Sequence, residues 1–360
     1  MENHPWPTLE SRCGGRQNNL TLLRLLAALS VLVSHAFFLV RGDEPLFARL
    51  HETPGSIAVD VFFVVSGFLV TRSLFAREDA VAFCCARVLR IFPGLVVEAI
   101  FVAVALGAFQ SPLPASEYFA SFLPLNYVFT TATLRIGTGA LPGVALPNAS
   151  LWSLPLEVAL YCMLLVSWLA ARAVATRDRG QGTAWATAIA CAALFALAAF
   201  WFTRSGGIKL AAMFGAGIAC HFLRRRIRLS WLLAGLAFGV ILISAVNGTA
   251  FRVALVCLLP YLVMCAAYLP RGRILKFNAL GDYSYGVYIY AFPIQLVAVH
   301  RLAHAGVWTI IALTSVASLA MAILSWKFVE EQALRNAPAV TDALRRVLGR
   351  KVAPSSSPGS

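Results

Sequence analysis

Residues 20–40 read LTLLRLLAALSVLVSHAFFLV, an apolar run long enough to cross a bilayer as a helix. Arg24 and His35 interrupt it eleven positions apart, which is about 16 Å along a helix axis. One therefore sits near an entrance and the other deep inside. A polar side chain in hydrocarbon is costly unless it has a partner or a water-filled cavity, so His35 marks either a functional site or a histidine satisfied by a neighbouring helix.

The rest of the chain follows the same pattern. Of 360 residues, 59% are hydrophobic and 13% charged, where a soluble domain carries about 25% charged residues. The expected fold is an all-α, polytopic transmembrane helix bundle with little room for a soluble domain. A net charge of +14 suggests nucleic acid at first sight. The basic residues instead lie in short clusters between apolar runs, the pattern that orients membrane proteins, and no nucleic-acid partner is expected. No pair among the eight cysteines has metal-ligand spacing with a nearby histidine, so no metal is expected; free thiols are expected on this topology. No small-residue cleavage site follows the first run, which reads as a retained helix.

Ten spans are predicted, at 20–40, 57–75, 91–110, 151–171, 184–203, 208–223, 229–246, 251–269, 281–300 and 306–327. Residues 111–150 read as a long loop whose Phe119–Phe129 part dips into the membrane or covers a cavity. With the N-terminus inside, 23 of the 30 Lys and Arg fall in inside segments, which predicts N-in and C-in. Residues 336–360 then form a cytoplasmic tail, disordered after Arg350.

This topology assigns depths to the polar residues. His35, Asp60 and Glu157 come from three spans and are expected in one outer-half layer, a cavity in which His35 pairs with a carboxylate; the bland alternative is a structural ion pair. Arg24, Arg72, Arg87 and Arg90 make the inner side basic. Arg87 and Arg90, three apart, share a helix face and suit phosphate oxygens, although positive-inside retention also explains such residues. Gly67 beside Ser66, and the pair Gly235 and Gly239, read as helix-packing positions. Glu98 is expected to pair with an inner arginine. Core packing and a polar lining remain equal readings of the Tyr283–Tyr290 cluster.

These residues together resemble acyltransferase family 3, integral membrane O-acyltransferases of bacterial polysaccharides, lipopolysaccharide and related glycans. The resemblance rests on an ordered set. An arginine and, after ten residues, a histidine stand at Arg24 and His35. VDVFFVVSGFL follows at 59–69, ARVLRIFP carries Arg87 and Arg90, LWSLPLEVALY at 151–161 carries Glu157, LGDYSYGVYIYAFP lies at 280–293, and WKFVEE at 326–331. The set covers nearly the whole chain and implies a transmembrane acyltransferase domain over residues 1–335. Many family members have Asp at the position of Thr21, Gly at that of Leu25 and His at that of Ala291, so acceptor handling is expected to differ here. The extracytoplasmic hydrolase-like domain of some relatives is not expected.

The family implies transfer of an acyl group, usually acetyl, from cytosolic acyl-CoA to a sugar hydroxyl at or beyond the outer leaflet of the cell inner membrane. The candidates for catalysis are His35 as general base and Glu157 as its orienting carboxylate; an acyl-histidine intermediate stands as an alternative. Arg24, Arg87 and Arg90 are candidates for binding acetyl-CoA. Asp60, Ser66, Trp152, Ser153, Tyr161 and Tyr285 are candidates for the cavity lining. The expected partners are acyl-CoA, a carbohydrate acceptor and the bilayer. A multi-helix transporter is the rival class, since membrane carboxylates and histidines also serve transport, although no inverted repeat is visible. A non-catalytic scaffold or sensor is the third.

Overall fold

The computed structural model describes residues 6–15, 17–139, 141, 147–174 and 207–349. Among them the chain is helical, with one isolated bridge between Thr8 and Arg228. Six helical segments are long and apolar enough to cross a membrane: Leu20–Arg41, Pro54–Arg77, Ala80–Leu106, Ala149–Ala173, Gly248–Tyr268 and Val307–Arg335. This is a multi-pass membrane protein. We number the principal helices α1 (Leu20–Arg41), α2 (Pro54–Arg77), α3 (Ala80–Phe101), α4 (Leu123–Ala132), α5 (Leu154–Val174), α6 (Gly207–Phe222), α7 (Trp231–Ser244), α8 (Gly248–Tyr268), α9 (Ser284–Arg301), α10 (Val307–Ser325) and α11 (Ala337–Val347).

Local sequence sets the helix ends. Gly42, at φ 79°, stops α1 in the left-handed conformation that glycine adopts without strain. Thr53 and Ser56 form a reciprocal capping box at the start of α2, with Pro54 in its first turn. Asp79 caps α3 through the Val81 and Ala82 amides. That cap starts α3 eleven residues before the predicted 91, and the helix runs on through a π-turn at Val102–Leu106.

The loops gather at two opposite faces. At one, Leu9 N donates to the Ile227 carbonyl at 2.8 Å, Arg225 pairs with Glu10 at 2.9 Å, and Arg172 pairs with Glu78 at 3.3 Å. Arg345 of α11 pairs with Asp79 there too. At the other face, Glu52 pairs with Lys209 at 2.6 Å and with Arg252 at 3.3 Å. Several segments predicted to lie inside thus meet one another, as do three predicted to lie outside. Helix α5 ends at the first face and α6 starts at the second. The predicted span 184–203 between them lies outside the described residues.

Helices α2 and α6 approach most closely. A Cβ on Gly67 would collide with the Phe214 carbonyl, and one on Gly217 with the Val64 carbonyl, so only glycine permits this contact. Gly235 and Gly239 differ from expectation: nothing lies within 4 Å of a Cβ built at either, so neither serves packing among the described residues. The predicted loop 111–150 contains a helical turn at Ala115–Ala120 and α4, which pack on α3. Tyr118 is fully buried and donates to the Ala103 carbonyl at 2.7 Å, inside the π-turn. Phe119, Phe122, Leu125 and Phe129 face outward, a side suited to lipid. The predicted C-terminal tail contains α11, docked on α3; residues 350–360 lie outside the described set.

Candidate active site

A cavity with about 430 Å³ of free space, its open mouth included, lies among α1, α2, α5 and α9. Five of the residues predicted from sequence line it: Arg24, Ser66, Ser153, Glu157 and Tyr285. Tyr288 and the apolar Val59, Phe62, Phe63 and Leu154 complete the wall. Such a mixture of polar and apolar lining suits a small-molecule site.

Glu157 stands in the first turn of α5. Its carboxylate accepts a hydrogen bond from Ser66 Oγ at 2.8 Å and another from the Tyr161 hydroxyl, one helical turn further on. The Arg87 guanidinium lies 5.8 Å from the centre of the Tyr161 ring. Arg87 Nε is buried without a hydrogen-bond partner, and Arg87 joins no salt bridge among the described residues. The Glu157 charge and the Tyr161 hydroxyl act on this guanidinium, while its Nε stays free to take an anion.

Arg24 and Arg90 are differently placed. Both pair with Asp282, in the turn before α9, Arg90 at 2.6 Å. Arg90 also reaches Glu330 at 3.4 Å and lies against the Tyr285 and Trp326 rings. Tyr285 is held in turn by its hydroxyl, which donates to the Ile91 carbonyl at 2.7 Å. Arg72 belongs to another cluster, beside Cys13, His221 and Tyr268.

His35 stands behind the wall. Its Nδ1 is 3.5 Å from Ser150 Oγ, and the Phe292 ring meets its edge at 5.1 Å. The Ser150 carbonyl accepts from the Tyr288 hydroxyl at 2.5 Å, which also contacts Ser153 Oγ at 2.9 Å. A short polar chain, Ser153–Tyr288–Ser150, thus joins the cavity wall to His35. The carboxylate whose charge reaches His35 is Glu44, in the loop after α1, where it accepts from Ser34.

Several expectations are corrected. Among the described residues His35 makes no hydrogen bond or ion pair with Glu157 or Asp60, so the expected pairing of His35 with a carboxylate of its layer is not seen. Helix α5 begins among buried residues. Its approach is a 3-10 turn, Ala149–Ser153, preceded by Asn148, and Asn148, Ser150 and Ser153 are all buried. Asp60 is fully buried and pairs with Lys209 at 2.9 Å, tying α2 to α6, and does not line the cavity. Trp152, half exposed, does not line the cavity. Glu98 pairs with no arginine; it accepts from Asn148 Nδ2 at 2.8 Å. Lys209, Asp282, Asn148 and Ser150 were missed by the sequence reading. The one available signal was Asp282, an acid inside a family-like motif beside the predicted basic side.

Comparison with known proteins agrees with the sequence resemblance. Residues 17–327 match the family model described as "Acyltransferase domain". The chain is 30% identical to Nodulation protein 10 of Rhizobium leguminosarum bv. viciae, over 89% of this chain and 94% of that protein. It is 29% identical to the O-acetyl transferase of Shigella phage Sf6, over 90% of this chain and 98% of that one. A partial match, 32% identical over 41% of this chain and 38% of its counterpart, is to the Acyltransferase MdmB of Streptomyces mycarofaciens. No solved structure matches. With the family model covering most of its length and two relatives covering nearly all of it, the chain is a membrane-embedded acyltransferase and belongs to acyltransferase family 3.

Proposed function

We propose that this protein transfers an acyl group, acetyl by preference, from cytosolic acyl-CoA to a hydroxyl of a cell-surface or exported glycan, across ten spans in the cell inner membrane with both termini inside. The relative named O-acetyl transferase supports transfer to oxygen, and the family resemblance supports a sugar acceptor. The observation that carries the reading is the cavity's two ends. Its wall includes Arg24, and Tyr161 beside Glu157 leads to Arg87, whose Nε has no partner. At the other end, Tyr288 and Ser150 separate it from His35 by one layer of hydroxyls.

Arg87 takes a phosphate oxygen of the donor, the anion that its buried Nε lacks. Arg24 and Arg90, neutralised by Asp282, shape that end and serve less as free cations. The flexible pantetheine arm spans a distance like the roughly 16 Å between Arg24 and His35 along α1, so the thioester reaches the outer half while the nucleotide stays inside. There His35 is the general base. The acceptor oxygen attacks the thioester carbonyl carbon as His35 takes its proton; the C–S bond breaks, and the proton passes to the departing thiolate. Glu157 holds Ser66 and Tyr161 at the donor end and does not orient His35.

Mass spectrometry of surface glycans from cells with and without the gene tests this. Acyl groups present with the gene and absent without it are expected. Identical acylation in both would end the proposal.

A further inference from the structure

We propose that Ser150 is the positioning residue for His35, holding the imidazole through its Nδ1; this rests on His35 being the general base of the preceding section. Ser150 belongs to the 3-10 turn that leads into α5, and sequence reading assigns it no role. It is 1% exposed, so it touches neither lipid nor an incoming sugar. Its hydroxyl lies 3.5 Å from His35 Nδ1, a separation that catalytic hydrogen bonds show before substrate tightens them.

Two bonds hold the Ser150 backbone in place. Its amide donates to Asn148 Oδ1 at 3.1 Å, and its carbonyl accepts from Tyr288 of α9 at 2.5 Å. Asn148 is fixed by donating to Glu98 of α3 and to the Ile289 carbonyl of α9, each at 2.8 Å. Two neighbouring helices thus set the position of one hydroxyl, and the Phe292 edge limits rotation of the imidazole. A hydroxyl both donates and accepts, so Ser150 holds the ring through Nδ1 and does not by itself choose the tautomer. General-base chemistry uses the form in which Nδ1–H donates to Ser150 Oγ and the lone pair lies on Nε2, the nitrogen left to accept the acceptor's proton. Ser150 thus supplies the orienting contact that a carboxylate supplies in a Ser-His-Asp triad, without the carboxylate's charge.

The test compares Ser150→Ala with His35→Ala in purified protein, with acetyl-CoA as donor and glycan extracted from cells lacking the gene as acceptor. Alanine is smaller, so the variant keeps the fold, which size-exclusion chromatography in detergent checks. Ser150→Ala is expected to lower kcat about 10- to 100-fold, with the acetyl-CoA KM within about two-fold of wild type. The acid limb of its pH–rate profile is displaced, which a merely structural role would not do. Wild-type kcat, or a loss of kcat with the acid limb in place, overturns the assignment of Ser150 while leaving His35 as base. Full activity in His35→Ala overturns the underlying reading instead.

Discussion

Two groups of charge inside this bundle use similar residues and reach opposite results. At one end, Asp60 and Glu52 are almost wholly buried, and Lys209 and Arg252 answer them: Lys209 bridges both acids at 2.9 and 2.6 Å. Around Glu157, the carboxylate is met by two hydroxyls, and the nearby Arg87 feels its charge and the Tyr161 hydroxyl but forms no salt bridge among the described residues. The first group is ion-paired, with Asp60 Oδ1 the atom left without a partner, and does not line the cavity; the second borders it. Buried charge in a membrane is therefore not in itself a mark of function. What marks a site here is a charge left incomplete beside open space, because a guanidinium with a buried, partnerless Nε is tolerable only if something else, water or substrate, completes it.

The sharpest way to break this comparison is to open the ion-paired group. Lys209→Met strands buried Asp60 and is expected to cost about 3–5 kcal/mol of stability, read as a lowered Tm in detergent. Activity per folded molecule stays close to wild type. Adding Asp60→Leu removes the stranded charge and recovers most of the loss. A Lys209→Met protein that is stable but inactive would place this group in the reaction.

Between the two arginines of α3, the difference is one of kind. Arg87→Ala is expected to raise the acyl-CoA KM about 10-fold, the loss of one charge-assisted hydrogen bond, with little change in Tm. Arg90→Ala leaves Asp282 and buried Glu330 short of a partner, so it lowers Tm more than it raises KM. Equal effects on KM from both would restore the two-pronged clamp that their spacing suggests.

The smallest effect concerns Asp79 and Arg345, which dock α11 at the start of α3. Partial burial pushes the Asp79 carboxyl up, but Arg345 and the Ala82 and Val81 amides outweigh this and hold it below the ordinary carboxylate range. The folded state thus prefers the ionised form. The resulting stability is present above the ordinary carboxylate range and is lost as pH falls through the lowered value. Asp79→Asn is expected to flatten that acid limb of the Tm–pH curve slightly; an unchanged limb would remove the pair from the stability account.

Much of this was legible in the chain. Apolar runs and basic clusters grouped several of the loops that meet, and the family-like motifs carried Arg24, Ser66, Ser153, Glu157 and Tyr285, which line one cavity. The approach to α5 was not legible, because the 3-10 turn before it is held by Asn148, whose partners Glu98 and the Ile289 carbonyl are remote in sequence. Partner choice was not legible either. Asp60 and Glu157 look alike as lone acids in apolar runs, and only tertiary packing brings Lys209 to one and two hydroxyls to the other. Trp152 was included because its neighbours in the motif face inward; in a short 3-10 turn the faces change from residue to residue, and it points out.

The central claim is that a donor held at the cavity reacts at His35, which stands one layer of hydroxyls behind its wall. The most direct measurement is acyl transfer by purified protein in liposomes, with acetyl-CoA radiolabelled in the acetyl group and glycan acceptor supplied on the opposite side. Wild type is expected to place label on the glycan, and a folded His35→Ala protein to fall by about 10²- to 10⁴-fold, the usual contribution of a general base. Label that crosses the membrane without joining the glycan, or transfer at the wild-type rate by His35→Ala, would contradict the account.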